Sequence, residues 1–365
     1  MPWPRIFTRS PFGLHMRPVH RVRTLPVVLL LLGALTAARS LPARVANGII
    51  VVRVVEEGTL RPVPNADVLE RDGEVHRLTD GRGEVRFSVP SAGALRLRVR
   101  QLGFQPVERS IIGGPETFAG PVVIPLSRVV VLATTSARTS NACIGTADSL
   151  PSALSLLALE QLRFGAEQYA RFWDAYPFRL SFERRTAYFS VDGKPLTVLV
   201  AKDSTSRRDW NTPYRPGAVV QGHGGTVSAL ALSVGALADS VFWENHCLVA
   251  RRVVERDGRR MLPLEFLPSL SLATPDYGGT AWVDSATSEL QRVDFQLMGL
   301  DRSVGLRRME GYMTFAYPSP YIARPDSMVS LWWTRDPADG QSWGTPARVE
   351  LLRVAAVKYL RDEPR

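Results

Sequence analysis

The chain is poor in the residues that carry recognisable chemistry. Its 365 residues include two cysteines, Cys143 and Cys247, five histidines and three lysines, Lys194, Lys202 and Lys358. Two thiols exclude a disulfide-dense miniprotein and a multi-cysteine zinc centre. No histidine is followed three positions later by glutamate, and neither His-x-His nor His-Glu-x-x-His occurs, so a zinc site lacks ligands at a usable spacing. A Gly-x-Ser-x-Gly elbow is also missing. Gly217-Ala-Val-Val-Gln-Gly-His-Gly-Gly225 has the glycine spacing of a phosphate loop, yet His223 stands where lysine is required and no hydroxyl residue follows it. Neither a γ-phosphate nor magnesium would be held there, and the segment reads as a mobile loop. No metal, no cofactor and no catalytic residue is expected.

The scarcity of lysine bears on partners. The excess of 45 Lys+Arg over 35 Asp+Glu is almost all arginine, scattered along alternating segments such as Arg96, Arg98 and Arg100. Positions two apart share one face of a strand, here a solvated one. A nucleic-acid binder concentrates both basic types into a stripe with aromatics between them, so no nucleic-acid partner is expected.

Long apolar runs are lacking too. The longest, Leu25-Pro-Val-Val-Leu-Leu-Leu-Leu-Gly-Ala-Leu-Thr-Ala37, falls short of the roughly 20 residues that span a bilayer. Before it come Arg5, Arg9, Arg17, Arg21 and Arg23 with no acid, and small residues follow to Ala38. These are the three parts of a secretory signal over residues 1–38, with translation starting at Met1 or Met16. The alternative, an uncleaved membrane anchor, has the length against it. With no cysteine after the run, a lipid anchor is not expected. Cleavage would remove five arginines and no acid, taking the net charge from +10 to +5. The protein is therefore expected to be exported, periplasmic or outer-envelope associated, with membrane contact only through the signal before cleavage.

What the chain does have is β-pattern. In residues 48–132, Gly48-Ile-Ile-Val-Val-Arg-Val-Val55 and Ala66-Asp-Val-Leu-Glu70 are short strands ended by turn residues. Val85, Phe87 and Val89 alternate with polar neighbours, as do Leu95, Leu97 and Val99. Val122-Val-Ile-Pro-Leu126 and Val129-Val-Val-Leu132 close the series. Short, evenly spaced strands with Gly/Pro punctuation predict an antiparallel β-sandwich.

Three segments, Arg61-Pro-Val-Pro-Asn-Ala-Asp-Val68, Leu78-Thr-Asp-Gly-Arg-Gly-Glu-Val-Arg-Phe87 and Leu95-Arg-Leu-Arg-Val-Arg-Gln-Leu-Gly-Phe-Gln-Pro106, resemble the carboxypeptidase regulatory-like domain. The resemblance implies a transthyretin-like (prealbumin-like) sandwich, a carbohydrate-binding-like fold, over residues 48–132. It implies no carboxypeptidase activity, because the zinc ligands have no source in this chain.

A polar linker, residues 133–147, leads to a larger domain over residues 148–360. Residues 152–171 follow a helical rhythm interrupted by Gly165, and a short helix is expected over residues 234–245 with Ser233 as N-cap. Strands are expected at 178–189, 196–202, 248–255, 261–267, 280–284, 290–297, 312–315, 328–334 and 348–357, which suits a curved antiparallel sheet or half-barrel around a helix. The segment Gly279-Thr-Ala-Trp-Val-Asp-Ser-Ala-Thr-Ser-Glu-Leu-Gln-Arg-Val-Asp-Phe295 resembles the repeated hairpin of lipoprotein-carrier half-barrels. The tandem order as a whole resembles bacterial envelope proteins named for their regulatory-like domain.

Seven of the eight tryptophans lie in this half, at positions 173, 210, 243, 282, 332, 333 and 343. Trp332 and Trp333 are neighbours on one strand and point to opposite faces, so one can be core while the other meets solvent, a ligand or a covering helix. Trp332, Trp333 and Trp282 are the candidate ligand-facing aromatics, against the alternative that they are packing residues. In an oxidising compartment Cys143 and Cys247 are expected to pair, closing a loop of about 104 residues. A thiol activated by His246 is the alternative, though adjacent residues on a strand diverge.

Taken together, the residues predict an exported, non-enzymatic binding or interaction module for a protein or glycan of the envelope. The alternative is a periplasmic carrier of lipid or other apolar cargo in a half-barrel cavity, and a hydrolase with an unrecognised site is a distant third. A large apolar cavity would favour the carrier, and a filled interior the interaction module.

Overall fold

The computed structural model describes residues 47–90, 94–113, 120–129, 153–206, 214–223, 226–229, 232, 236–237, 239–301, 305–335, 343–361 and 363. The proposed signal segment, the linker, Cys143, Trp210 and Ser233 lie outside the described residues. So do residues 130–132 at the end of the first strand series. Residues from Val45 onward form one compact unit.

Seven strands build the sandwich: β1 (Asn47–Glu56), β2 (Asp67–Glu70), β3 (Val75–Leu78), β4 (Glu84–Pro90), β5 (Ala94–Arg100), β6 (Val107–Ile112) and β7 (Val122–Leu126). One sheet runs β4-β1-β7 and the other β3-β2-β5-β6. All pairs are antiparallel except β1 with β7, which is parallel. The core follows the period-2 pattern, with Ile50, Val52 and Val54 of β1 facing Leu95, Leu97 and Val99 of β5 across the two layers. The Asp80-Gly-Arg-Gly83 turn closes on the Asp80 carboxylate, which accepts from the backbone N–H groups of Arg82 and Glu84, both at 2.9 Å. Gly83 has φ +72° and a Cβ there would sit 2.5 Å from the Val54 carbonyl oxygen, so no side chain fits.

The larger sheet has ten strands: β8 (Phe178–Phe189), β9 (Pro195–Thr205), β12 (His246–Ala250), β13 (Val254–Arg256), β14 (Arg259–Pro268), β15 (Asp276–Asp284), β16 (Leu290–Met298), β17 (Arg308–Ser319), β18 (Ile322–Trp333) and β19 (Arg348–Tyr359). Its order is β12-β14-β15-β16-β17-β18-β19-β8-β9, with β13 also on β14. The sheet is curved, antiparallel and unclosed. Its inner face is packed with Leu264, Phe266, Tyr277, Val293, Phe295, Met309 and Trp332, covered by Ala158 and Leu162 and by Tyr214, Leu237 and Phe242. A void of about 10 Å³ is all that opens between Leu157, Ala158, Leu262 and Val283.

Helix α1 (Ala153–Ala175) lies between sandwich and sheet because it carries two apolar or hydrogen-bonding stripes rather than one. Ala158, Leu162, Tyr169 and Trp173 pack on the sheet side. Gln161, Phe164 and Gln168 meet the sandwich: Gln161 Oε1 accepts from Gly103 N at 2.7 Å, and Gln168 Nε2 donates to Asn65 O and Gln101 Oε1. The Arg100 guanidinium lies 4.7 Å from the Phe164 ring centroid. Gly165 does not interrupt the helix as the rhythm suggested, since the helix is buried on both sides and Leu102 packs on that position. Asp67, fully buried, receives Arg171 at 2.7 Å and Arg100 at 3.1 Å. Arg100 thus leaves the solvated face expected of it and joins the seam.

Other departures have local causes. Within the segment expected as one helix, Ala236 and Leu237 are helical and the short helix α2 spans Ser240–Glu244, capped by Asp239 through a 2.9 Å bond from Val241 N. The expected strand at 248–255 is two, β12 and β13. The glycine-rich segment expected as a loop contributes β10 (Val220–His223), paired with β11 (Thr226–Ala229). Strands β3 and β6 were not expected at all; most of their residues are exposed, and neither alternates in the sequence.

Candidate functional site

The nominated tryptophans do not act alike. Trp332 and Trp333 point to opposite faces but are both buried, at 5% and 8% exposure. Trp332 belongs to the inner core, with the Arg348 guanidinium 3.7 Å over its ring. Trp333 packs against Trp343, with ring centroids 5.9 Å apart, and its indole N–H donates to Gly344 O at 2.8 Å. Trp282 is half-buried on the outer face of the sheet.

Titratable groups also fall into place. Cys247 is buried on β12, beside His246. The His246 ring faces two carbonyls, Phe242 O at 2.6 Å and Tyr277 O at 2.9 Å, and stacks on Phe242 at 3.8 Å. Asp276 Oδ1 lies 3.6 Å from the His246 Nε2. Asp276 also accepts from the Tyr214 hydroxyl at 2.6 Å. Burial, then that bond, push the Tyr214 pKa far up, so its proton stays on. His246, Asp276 and Tyr214 are all buried. His76 bonds Asp67 at 2.8 Å. Among the described residues, no group of three or more His, Cys, Asp and Glu is placed to hold a metal ion.

The outer face of the sheet offers more. A groove of about 400 Å³ opens there, lined by Thr280, Arg292, Asp294, Gln296, Glu310, Tyr312 and Leu331. Asp294 is its polar centre: it accepts from Arg292 Nε at 2.6 Å, from the Trp282 indole at 2.7 Å and from Arg256 at 3.4 Å. Arg292 lies 3.7 Å over Tyr312 and Arg256 4.4 Å over Trp282, so one face of each ring carries a guanidinium group. Glu310 accepts from Arg308 Nε at 3.0 Å.

Cross-strand pairing extends this groove into a different surface. Directly opposed residues of an antiparallel sheet share a face. One row therefore runs Gln296, Glu310, Leu331, Val349, Ala187, Val198 across β16, β17, β18, β19, β8 and β9. The next runs Asp294, Tyr312, Val329, Leu351, Arg185, Val200. Both begin polar and become largely apolar. At the far end Leu196, Val198 and Val200 are 67%, 59% and 56% exposed, where a large apolar side chain ordinarily has a covering partner. Sequence reading missed this surface because its members are scattered between residues 185 and 351; alternation in each strand is visible, but which strands adjoin is not.

No family model and no curated protein matches the chain. Solved structures show a low similarity over part of the chain. A domain described as an outer-membrane lipoprotein-sorting protein from Vibrio parahaemolyticus is 11% identical, with 56% of this chain and 93% of that chain covered and a TM-score of 0.33. A LolA superfamily protein from Nitrosomonas europaea is 14% identical over 56% of this chain and 94% of its own, with a TM-score of 0.31. A DUF1329 family protein from Desulfovibrio piger is 11% identical over 56% and 93%, with a TM-score of 0.30.

Proposed function

We propose that this is an exported envelope protein that binds an amphiphile without altering it, in a carrier role, and that the ligand lies on the outer face of the half-barrel. Export is supported by the basic, apolar and small-residue order of residues 1–38. The observation that carries the ligand reading is the amphipathic face itself: a polar groove around Asp294 leads into the apolar rows that end at Val198 and Val200. From β17 to β9 these rows span four strand spacings, about 19 Å, long enough for an extended acyl chain. Arg292, Asp294 and Glu310 would hold the polar head. Among the described residues, apolar side chains pack the inner face, whereas the outer face presents the exposed apolar rows.

An interaction module for a glycan is the second reading, supported by the sandwich's resemblance to the carboxypeptidase regulatory-like domain. Against it, one face of each of the Trp282 and Tyr312 rings already carries a guanidinium group. Native mass spectrometry of protein purified from its own envelope tests both, reading the mass of any bound species. Titration with a fluorescent fatty acid adds a direct test. Val198→Asp and Val349→Asp, introducing charge on the apolar rows, are expected to weaken binding about tenfold or more. Binding that ignores both substitutions, or a protein that retains no lipid and binds no fatty acid, would overturn the reading.

A further inference from the structure

The β8–β9 hairpin ends the ten-stranded sheet, with β9 paired to β8 on one side only. Its turn is braced: Ser190 N donates to Lys194 O at 2.9 Å and Ser190 Oγ to Asp192 Oδ1 at 2.6 Å. A Cβ on Gly193 would lie 2.7 Å from Thr345 Oγ1, so the turn sits close against that residue. It holds Val191 out at 73% exposure. Behind the turn, Leu196, Val198 and Val200 are exposed on β9, and so is Leu199, which points to the face opposite Val198 and Val200. Large apolar side chains are thus bare at the tip and on both faces of one short hairpin. Cations surround them. All three lysines of the chain lie here, Lys194 in the turn, Lys202 on β9 and Lys358 on β19. Together β8, β9, their turn and β19 hold eight basic residues against four acidic ones. Glu183 has Arg353 directly opposite it on β19 and Lys202 on β9. The bond from Arg185, with the field of Lys202 and Arg353, holds the Glu183 carboxyl below its ordinary range.

We propose that the β8–β9 hairpin docks the protein on a lipid bilayer that bears anionic headgroups. A rigid partner laid on the sheet would cover one face of the hairpin, whereas a fluid surface receives the tip and both faces together. An apolar patch with a basic rim is the pattern that such a surface complements: apolar side chains enter the boundary of the acyl region and cations meet the phosphates. Lysine suits the rim, because its stem lies along apolar surface while its ammonium stays in water. The hairpin stops at headgroup depth, since hydrocarbon cannot satisfy the backbone N–H and C=O groups along the free edge of β9. The amino-acid sequence points to membrane contact only through the signal segment; this contact belongs to the folded domain. It does not rest on the cargo reading, because Val191 and Leu199 lie off the two rows that face the amphiphile.

Flotation with lipid vesicles reads the docking of the mature protein. Binding to phosphatidylcholine vesicles that contain phosphatidylglycerol is expected to exceed binding to phosphatidylcholine alone about tenfold or more, and to weaken as salt rises. Val191→Asp combined with Leu199→Asp is expected to weaken it about tenfold or more. Leu270→Asp, at a comparably exposed position outside the hairpin, should leave it unchanged. Circular dichroism checks that the double variant stays folded, and its fatty-acid titration, expected to match that of the native protein, separates docking from cargo. An environment-sensitive dye on Val191→Cys should shift to the blue on the anionic vesicles, while the same dye on Leu270→Cys should not. Anionic vesicles left unbound, equal binding to both compositions, full binding by the folded double variant, or no shift at position 191 would each overturn the docking. A native protein that docks on vesicles yet binds no fatty acid would overturn the cargo reading alone.

Discussion

Gly103 meets Thr287 at backbone contact: a Cβ built on Gly103 would lie 2.7 Å from the Thr287 carbonyl oxygen. The two belong to motifs that look unrelated in the sequence, the Leu102-Gly-Phe104 bend of the sandwich and the Asp284–Ser288 turn of the β15–β16 hairpin. Around them Arg128 reaches Ala286 O at 3.4 Å and lies 4.7 Å over Phe104, and Phe104 meets Tyr321 edge-on. The sandwich is therefore fastened to the half-barrel at a specific place.

Substituting Gly103→Ala tests that fastening. The φ of +78° already disfavours a side chain, and the added methyl strikes backbone rather than a flexible group. A loss of roughly 2–4 kcal/mol is expected in urea unfolding. Gly120→Ala, with open space around it and no left-handed angle, should be nearly neutral.

Gln168 makes a second attachment. It is fully buried, and its amide N–H groups serve both the Asn65 carbonyl and Gln101 Oε1. Gln168→Ala removes the side-chain donor to the buried Asn65 carbonyl and one of two donors to Gln101 Oε1, which keeps Leu102 N at 2.8 Å, at a cost of about 2–4 kcal/mol. If the sandwich and helix α1 unfold together, a single transition should shift; two separated transitions in calorimetry would show that the seam is not cooperative.

Acid should act on the seam through Glu56. Its hydrogen bond from Arg128, helped by Thr59 and Arg61, outweighs burial and holds the carboxyl below the ordinary glutamate range. A folded-state pKa below the unfolded one means that the stabilisation is complete above about pH 4.3 and is lost as the pH falls through the folded value. Chemical denaturation at descending pH should show a steeper loss for the native protein than for Glu56→Gln. Parallel curves would exclude this pair as a contributor.

The pairing of Cys143 with Cys247 is proposed from the sequence and the expected oxidising compartment. Peptide mapping without reduction should recover one linked peptide, and reduction should lower stability by about 4–5 kcal/mol on a chain-entropy basis. Recovery of both cysteines as free thiols from the exported protein would refute it.

Much of the architecture is legible from alternation alone. Ile50, Val52 and Val54, or Leu95, Leu97 and Val99, show their buried face because a half-buried strand repeats every two residues. Strands β3 and β6 leave no such mark, since Val75, His76 and Arg77 are all exposed and Glu108, Arg109 and Ser110 likewise. The candidate site was legible only in part. Trp282 is visible as an aromatic on a strand, but neither its capping by Arg256 nor its bond to Asp294 can be read from spacing, because those partners lie on other strands.

The amino-acid order by itself determines the mostly-β character, a helical rhythm over residues 152–171, the absence of a readable metal or nucleophile motif, and the export-like start. These are local properties, set by periodicity and side-chain chemistry within a few residues. Tertiary structure alone decides that Leu162, Phe242, Phe266, Val293 and Trp332 share one inner core, that Leu331, Val349, Ala187 and Val198 form one row, and that β9 is left at the edge. Strand order is settled by the summed fit of long-range pairs, and no single segment carries that sum.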